Sequence, residues 1–181
     1  MRGQNVIWIA LCFFVSVSFA ENKISHSFVD KQIGGIVVGK ERIEEVIRIY
    51  GHGFSQNNFH GETLCYHDVL EQIYLNIAFH DGIVESVILS KTLDQKIAEK
   101  CKKHIIKNKI LATGKGIRLG DPPKKILEIY GEPQKKEVKD GLLIFEYHAD
   151  SENDPEVNLF YDAYLYFKND ALIKLVIHDG E

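Results

Sequence analysis

Two kinds of hydrophobic pattern run along this chain, one with the spacing of a helix and one with the two-residue period of a strand. The helical pattern occurs twice, in "ERIEEVIRIYG" and in "PPKKILEIYG". Each places apolar residues at i, i+3, i+4 and i+7, which predicts one apolar stripe on an amphipathic helix. The two stripes are Ile43, Val46, Ile47, Tyr50 and Pro123, Ile126, Leu127, Tyr130.

The boundaries of the second helix have sequence signals of their own. Asp121 is predicted to be the N-cap, and Pro122 then takes the first helical position, where its missing N–H costs nothing. Gly131 supplies a residue that adopts a left-handed conformation at the C-terminus, and Pro133 prevents continuation. A glycine also precedes each helix, Gly39 in the first copy and Gly120 in the second.

The strand pattern also occurs twice. "LNIAFHDGIVESVIL" (75–89) and "AYLYFKNDALIKLVI" (163–177) each predict a strand, a tight polar turn and a second strand. The turns are His80-Asp81-Gly82 and Lys168-Asn169-Asp170. "ETLCYH" and "GLLIFEYH" predict a further strand before each pair. Strict alternation from 157 to 168 indicates an antiparallel strand with one buried face. Its apolar face carries Val157, Leu159, Tyr161, Ala163, Leu165 and Phe167.

Matching helices and matching hairpins, in the same order, predict a duplicated folding unit. The fold class is therefore α+β, with two tandem repeats that each pack a helix, or a helix pair, on a three- to four-stranded antiparallel sheet. The predicted organisation is a signal peptide at 1–20, an N-terminal extension at 21–35, repeat 1 at 36–90, a largely helical linker at 91–116 and repeat 2 at 117–181.

The linker contains apolar residues at four-residue spacing, in the order Leu93, Ile97, Cys101 and Ile105. This spacing predicts a helix from Thr92 to about Lys109 with Cys101 facing the core, at the end of the first unit or the start of the second. Cys65 lies in a predicted strand, so a Cys65–Cys101 disulfide is expected in an oxidising compartment. Two buried free thiols are the alternative.

The first twenty residues have the pattern of a secretory signal peptide. Arg2 precedes an apolar run that closes on Ser18-Phe19-Ala20, and this run is short for a membrane span. An uncleaved N-terminal anchor is the alternative. Leu11 is too large to precede a lipidated cysteine, so lipidation at Cys12 is not expected. The protein is predicted to be periplasmic or secreted after cleavage near Ala20, with no stable membrane span in the mature chain.

The formal net charge is −4, and removal of Arg2 with the signal peptide takes it to −5. A mildly acidic chain argues against nucleic acid as a partner, because phosphate backbones attract basic surfaces.

The order "LGDPPKKILEIYGEP", "FEY", long strand, polar turn and "LIKLVI" resembles a known structural group. It is similar to the small outer-membrane-assembly lipoproteins of the SmpA/OmlA type and to the β-lactamase-inhibitor-protein-like fold, over about 36–90 and 117–178. The resemblance implies a non-enzymatic module that presents a sheet face or loops to another protein. The missing lipidation cysteine is a departure from the lipoproteins, and no binding residue is carried over from either group.

Two clusters invite a metal or catalytic interpretation. His52, His60 and His67 lie near Cys65 and Asp68, but their spacing matches no compact zinc pattern. The acidic run 150–156 alternates like a calcium loop, yet Pro155 stands where such a loop needs glycine. Neither metal nor cofactor is expected. A metal-dependent hydrolase or a small-ligand-binding protein that uses the histidine-containing loop is the alternative function.

Aromatic residues on the polar side of the predicted sheet are the strongest functional signal. Tyrosine is enriched in protein-binding surfaces, and it stands here beside Asn158, Asp162 and Lys168. The chain is therefore interpreted as a non-enzymatic binding module for a protein or cell-envelope partner. Coverage of these residues by the linker helix or the other repeat is the alternative. The candidate interface residues are Tyr74, His80, Phe160, Tyr164 and Tyr166.

Overall fold

A computed structural model describes residues 30–58, 61–106, 110–149 and 160–180. The strands of the first half are β1 (Gln32–Ile33), β2 (Ile36–Val37), β3 (Phe54–Asn58), β4 (Gly61–Asp68), β5 (Ile73–His80) and β6 (Ile83–Ser90). Those of the second half are β7 (Lys135–Lys139), β8 (Leu142–Ala149), β9 (Phe160–Lys168) and β10 (Ala171–Gly180). The helices are α1 (Ile43–Tyr50), α2 (Gln95–Cys101) and α3 (Pro123–Tyr130). The α+β class is confirmed.

Eight strands form one antiparallel sheet in the order β3-β4-β5-β6-β10-β9-β8-β7, and β1 pairs with β2 in a separate small sheet. The two sheets predicted from the sequence are therefore halves of one sheet. They meet where β6 pairs with β10, with Leu89 opposite Leu175. Each of these strands would otherwise be an open edge beside an apolar face, and their pairing satisfies both edges at once.

The core lies between this sheet and the helices α1 and α3, which pack on the same side of it. Val46 of α1 and Ile126 and Tyr130 of α3 are fully buried in one cluster with inward strand residues such as Leu75 and Leu165. Both predicted apolar stripes thus face the core, although their outer members are only partly buried. The predicted alternation of β9 is confirmed over the described positions 161–167.

Two-residue turns connect three of the hairpins. Asp81-Gly82, Asp140-Gly141 and Asn169-Asp170 all have positive φ at both positions, between 49° and 76°. This is the geometry of a type I′ turn, whose twist matches that of the flanking strands. The strands consequently extend one residue further than predicted, to His80 and Lys168.

The prediction for the start of the second helix was wrong by one residue. Pro122 is the N-cap and Pro123 the first helical residue, and no side chain caps the helix. The Asp121 carboxylate instead accepts hydrogen bonds from the Arg118 backbone N–H and the Lys125 ammonium group, both at 2.8 Å. Gly131 ends the helix at φ 76°, as predicted, and its N–H donates to the Leu127 carbonyl.

The linker helix is shorter than predicted. Asp94 caps α2 by accepting hydrogen bonds from two backbone N–H groups, and the helix ends at Cys101. Ile105 lies beyond it, is 49% exposed and forms a parallel bridge with His67, so it does not belong to a helical stripe. The chain leaves the helix early because the backbone of His67 bonds to His104 and Ile106, at 2.9 and 3.0 Å. Residues 107–109 of the predicted helix lie outside the described residues.

The predicted disulfide joins β4 to α2. Cys65 and Cys101 are bonded, with 5.4 Å between their Cα atoms, and both are buried. The bond holds α2 on the side of the sheet opposite α1 and α3. The buried cluster there also contains Tyr74 and Ala98.

The predicted signal peptide lies outside the described residues, as do the first nine residues of the extension. The described part of the extension reaches across to the second half of the chain. Gly34 N–H donates to the Ala112 carbonyl at 2.8 Å, and Ile33 bridges to Thr113. In the described ranges no helix is both long and apolar enough to cross a bilayer.

Candidate binding face of the sheet

The side of the sheet that faces away from α1 and α3 is divided into two regions. α2 packs over the β3–β5 region, against Phe54, Cys65 and Tyr74. The second region, which we call the open face, consists of the outward side chains of β10, β9, β8 and β7. Of the described helices, none contributes to a buried cluster on it.

Strand register arranges the open face in three rows. In each row, residues of neighbouring strands lie directly opposite one another, within contact distance. The first row is Lys174, Tyr166, Ile144 and Glu137; the second is Val176, Tyr164, Glu146 and Lys135; the third is His178, Asp162 and His148.

A shallow groove of about 310 Å³ lies on the open face. Tyr164 and Tyr166 of β9 form one part of its lining, and residues of β7, β8 and the turn between them form the rest. Leu142, which is partly exposed, and Ile144, which is 8% exposed, supply apolar atoms beside the two rings. The groove thus combines two amphipathic aromatic side chains with apolar and charged side chains.

Two of the carboxylates that line the groove, those of Glu137 and Glu146, form ion pairs with Lys135. The Lys135 ammonium group lies 3.0 Å from a Glu146 oxygen and 3.1 Å from a Glu137 oxygen. Both ion pairs are partly exposed, the pair with Glu137 more than the pair with Glu146. Their net contribution to stability is therefore small. The Lys174 ammonium group lies 5.0 Å from the centre of the Tyr166 ring, in a cation–π arrangement.

Both tyrosines keep neutral hydroxyl groups at physiological pH. Partial burial raises the pKa of the Tyr164 phenol, and the nearby carboxylates of Asp162 and Glu146 raise it further. The pKa of Tyr166 is raised by the same causes, burial first and then Glu146 and Glu137. Each phenol is therefore able to donate or accept a hydrogen bond across an interface.

A histidine–aspartate–histidine cluster forms the third row. Asp162 contacts the His148 Nδ1 atom through one carboxylate oxygen, and its other oxygen lies 3.6 Å from the His178 Nε2 atom. The His178 ring stacks on Tyr164, with 5.8 Å between the ring centres and 2° between the planes. The His178 ring thus links the third row to Tyr164 in the second row.

The structure places the five candidate interface residues in different environments. Tyr164 and Tyr166 lie together on the open face. Tyr74 is only 8% exposed and is covered by α2, so it does not belong to an open surface. His80 is exposed at the end of the β5–β6 hairpin, next to Asp81. The backbone of Phe160 starts β9, but its side chain lies outside the described residues.

The histidines of the alternative metal site do not converge in the described part of the chain. The His52 carbonyl accepts a hydrogen bond from His104, and His67 is buried in stacking contact with Tyr74, 4.8 Å between ring centres. Cys65 is bonded to Cys101 in the disulfide, so its sulfur is not available as a metal ligand. His60 and the acidic run 150–156 lie outside the described residues. Over the described ranges, no group of three or more His, Cys, Asp or Glu side chains is arranged to hold a metal ion, and this includes the row of His148, Asp162 and His178.

The members of the open face that come from strands other than β9 were not predicted from the sequence. Ile144, Glu146, Lys174 and His178 follow a two-residue period within their strands. That period identifies residues that share a face, and it was present in the sequence. It does not identify their cross-strand neighbours, which depend on register.

No family model matches the sequence, and no curated protein matches it. Among solved structures, the chain is similar to a DUF4309 family protein from Bacillus subtilis, with a TM-score of 0.46 and 10% identity over 81% of this chain and 83% of the other. It is also similar to a cysteine-rich secretory protein from Staphylococcus aureus, with a TM-score of 0.48 and 12% identity over 85% of this chain and 48% of the other.

A third similar structure is a candidate β-lactamase inhibitor protein from Streptococcus mutans, with a TM-score of 0.29 and 14% identity over 84% of this chain and 91% of the other. This structure corresponds to the resemblance to the β-lactamase-inhibitor-protein-like fold that the sequence suggested. The resemblance to outer-membrane-assembly lipoproteins stays a prediction. The chain spans about half the length of the staphylococcal protein. All of these TM-scores are below 0.5, so the similarities carry no argument about function.

Proposed function

We propose that this protein is an exported, non-enzymatic binding module that contacts a protein or cell-envelope partner through the open face. One observation carries the proposal: Tyr164 and Tyr166 lie side by side in a groove that the described helices leave uncovered. Tyrosine offers a rigid apolar ring together with a polar end, which suits a surface that is wet when free and buried when bound.

The surroundings of the two tyrosines suit an interface more than a core. Val176 and Ile144 stand beside them in the rows, and paired charges of Lys135, Glu137 and Glu146 surround the groove. An apolar and aromatic centre with a polar rim is the usual organisation of a protein interface. His178 and Lys174 hold the two rings in defined positions, which reduces the entropy lost on binding.

Export is proposed from the signal-peptide pattern of residues 1–20, with cleavage near Ala20 and a periplasmic or secreted location. The Cys65–Cys101 disulfide supports an oxidising compartment, because such bonds are rare in reducing ones.

The tandem-repeat origin is part of the proposal, and two equivalent tyrosines support it. The Tyr66 hydroxyl of β4 donates to the carbonyl of Gly51, which ends α1, at 2.8 Å. The Tyr147 hydroxyl of β8 donates to the carbonyl of Gly131, which ends α3, at 3.0 Å. Four strands follow α1, and four follow α3. The order of these strands in the sheet is symmetric about the contact between β6 and β10.

The test is affinity capture from envelope and culture fractions of the source organism, with residues 21–181 as bait and mass spectrometry as the readout. Tyr164→Ala combined with Tyr166→Ala should abolish capture of the partner and leave the unfolding temperature nearly unchanged. Leu70→Ala is the matched control, because Leu70 is 90% exposed in the β4–β5 turn and lies outside the open face.

Two outcomes would contradict the proposal. The partner could remain bound to the double variant while it is lost with changes elsewhere. Alternatively, the double variant could lose as much stability as a core variant such as Leu165→Ala, which would make the two tyrosines structural.

A further inference from the structure

The two edges of the eight-stranded sheet differ in charge. β7 has the sequence KKEVK, and its four charged side chains oppose the addition of another strand. β3 has the sequence FSQNN and carries no charge, and Ser55, Gln56 and Asn57 are exposed. Among the described strands only β4 pairs with β3, so the outer backbone edge of β3 is unpaired by any of them.

A second groove, of about 190 Å³, lies directly beside this uncharged edge. It is lined by outward side chains of β3, β4 and β5 and by residues at the start of α2. Phe54, Leu93 and Ile97 supply its apolar surface, and Gln56, Thr63 and Asn76 supply neutral polar groups. Among the described residues, no charged side chain lines it. The volume suits one branched aliphatic side chain.

The edge strand β3 itself forms part of the groove, so a peptide bound to the edge would lie next to the groove. Phe54 and Gln56 belong to the lining and are also two residues apart on the edge strand, so both point to the same side of the sheet. A strand paired with the outer edge of β3 would direct every second side chain to that same side. One such side chain would lie beside Phe54 and Gln56, at the mouth of the groove.

We propose that the outer edge of β3 accepts an extended peptide segment of a partner protein, which adds a ninth strand to the sheet and places an aliphatic side chain in the groove beside α2. The backbone hydrogen bonds supply affinity and the groove supplies specificity, as in other cases of strand addition. This site is distinct from the open face and does not depend on it.

The charge near the groove specifies the peptide further. The Lys100 ammonium group lies 5.0 Å from the centre of the Phe54 ring, and Lys96 is exposed on the same short helix. An uncharged segment with an acidic residue at the end nearest α2 complements both the neutral edge and these ammonium groups. A basic segment is disfavoured by the same groups.

The probes are two synthetic hexapeptides, acetylated and amidated, in which Thr and Leu alternate and one Glu stands at the N-terminal or the C-terminal end. The two positions of Glu allow for either strand direction. Binding is followed by NMR of the isotope-labelled full mature chain. We expect slower exchange of alternate β3 amide protons and shifted signals of Leu93 and Ile97 for one of the two peptides.

Two comparisons distinguish strand addition from nonspecific binding. An analogue with N-methyl groups at alternate residues keeps the side chains and removes the hydrogen bonds of one edge, and should bind about tenfold more weakly. Gln56→Glu, which puts on the β3 edge a charge that repels the Glu of the peptide, should weaken binding by about tenfold as well. Val138→Glu adds the same charge to β7 and should leave the affinity unchanged.

The proposal is overturned if neither peptide protects the β3 amides at millimolar concentration, or if the N-methylated analogue binds as well as its parent. Protection of β3 that appears without peptide and rises with protein concentration would also overturn it, because the occupant would then be a second copy of this chain. Since Gln56→Glu leaves the open face intact, loss of the partner captured there would remain a separate result.

Discussion

Tyr130 donates a hydrogen bond of 2.6 Å to the carboxylate of Asp30, although 100 residues separate the two in the sequence. The same carboxylate accepts hydrogen bonds from the backbone N–H groups of Gly114 and Lys115, at 2.9 and 2.7 Å. Asp30 is only 5% exposed. This network ties the N-terminal segment to α3 and to the loop that precedes it.

Removal of either side of this network is expected to destabilise the protein. Tyr130→Phe deletes the hydroxyl and should lower the free energy of unfolding by about 1–3 kcal/mol, since hydrogen bonds to buried charges are among the stronger ones. Asp30→Ala leaves two backbone N–H groups without their acceptor and should cost about 2–4 kcal/mol. Urea denaturation at neutral pH measures both.

Tyr166→Phe is the matched control for this comparison. It removes a hydroxyl from a half-buried tyrosine of the open face, and should change stability by less than about 0.5 kcal/mol. If Tyr130→Phe and Tyr166→Phe lower the free energy of unfolding equally, the hydrogen bond to Asp30 does not add measurably to stability.

The second prediction concerns the contribution of the Cys65–Cys101 disulfide to stability. Cys65→Ala with Cys101→Ala should lower the free energy of unfolding by roughly 3–4 kcal/mol, because the bond closes a loop of 36 residues in the unfolded chain. Denaturation with and without reductant provides the measurement. The wild-type protein should lose stability on reduction, and the double variant should be insensitive to it. A wild type that ignores reductant would contradict the expected contribution.

The third prediction concerns pH. His67 is buried, and neither ring nitrogen has a hydrogen-bond partner among the described residues. Burial lowers the pKa of His67 below 6.5, and Lys102 lowers it further. The unfolded chain therefore binds the proton more readily than the folded one. Stability is full above about pH 6.5 and falls as the pH drops towards the folded pKa.

His67→Phe should remove this acid-induced loss, because the ring stays aromatic beside Tyr74 and no longer titrates. Thermal unfolding from pH 7.5 to 5 is the measurement, and the quantity compared is the slope of the unfolding temperature against pH. His80→Gln is the control, since His80 is exposed and should leave the slope as it is. Equal slopes for wild type and His67→Phe would refute the role of His67.

Local structure in this protein follows closely from short stretches of sequence. The stripes ending at Tyr50 and Tyr130 predict α1 and α3, because residues three and four apart share one side of a helix. Residues that tolerate positive φ, such as Asp81-Gly82 and Asn169-Asp170, predict the tight hairpins. The partner of Cys101 was also predictable, because only one other cysteine remains beyond the predicted signal peptide.

Only the tertiary structure decided how these elements combine. Alternation assigns Tyr74, Tyr164 and Tyr166 to the outward side of their strands, but α2 covers Tyr74 and leaves the other two on the open face. The joining of both halves through β6 and β10 has no signature in the side chains, because it uses backbone groups that every strand carries. The sequence therefore determined which residues share a side of each strand, whereas long-range pairing and the disulfide-held helix decided which side remains accessible to a partner.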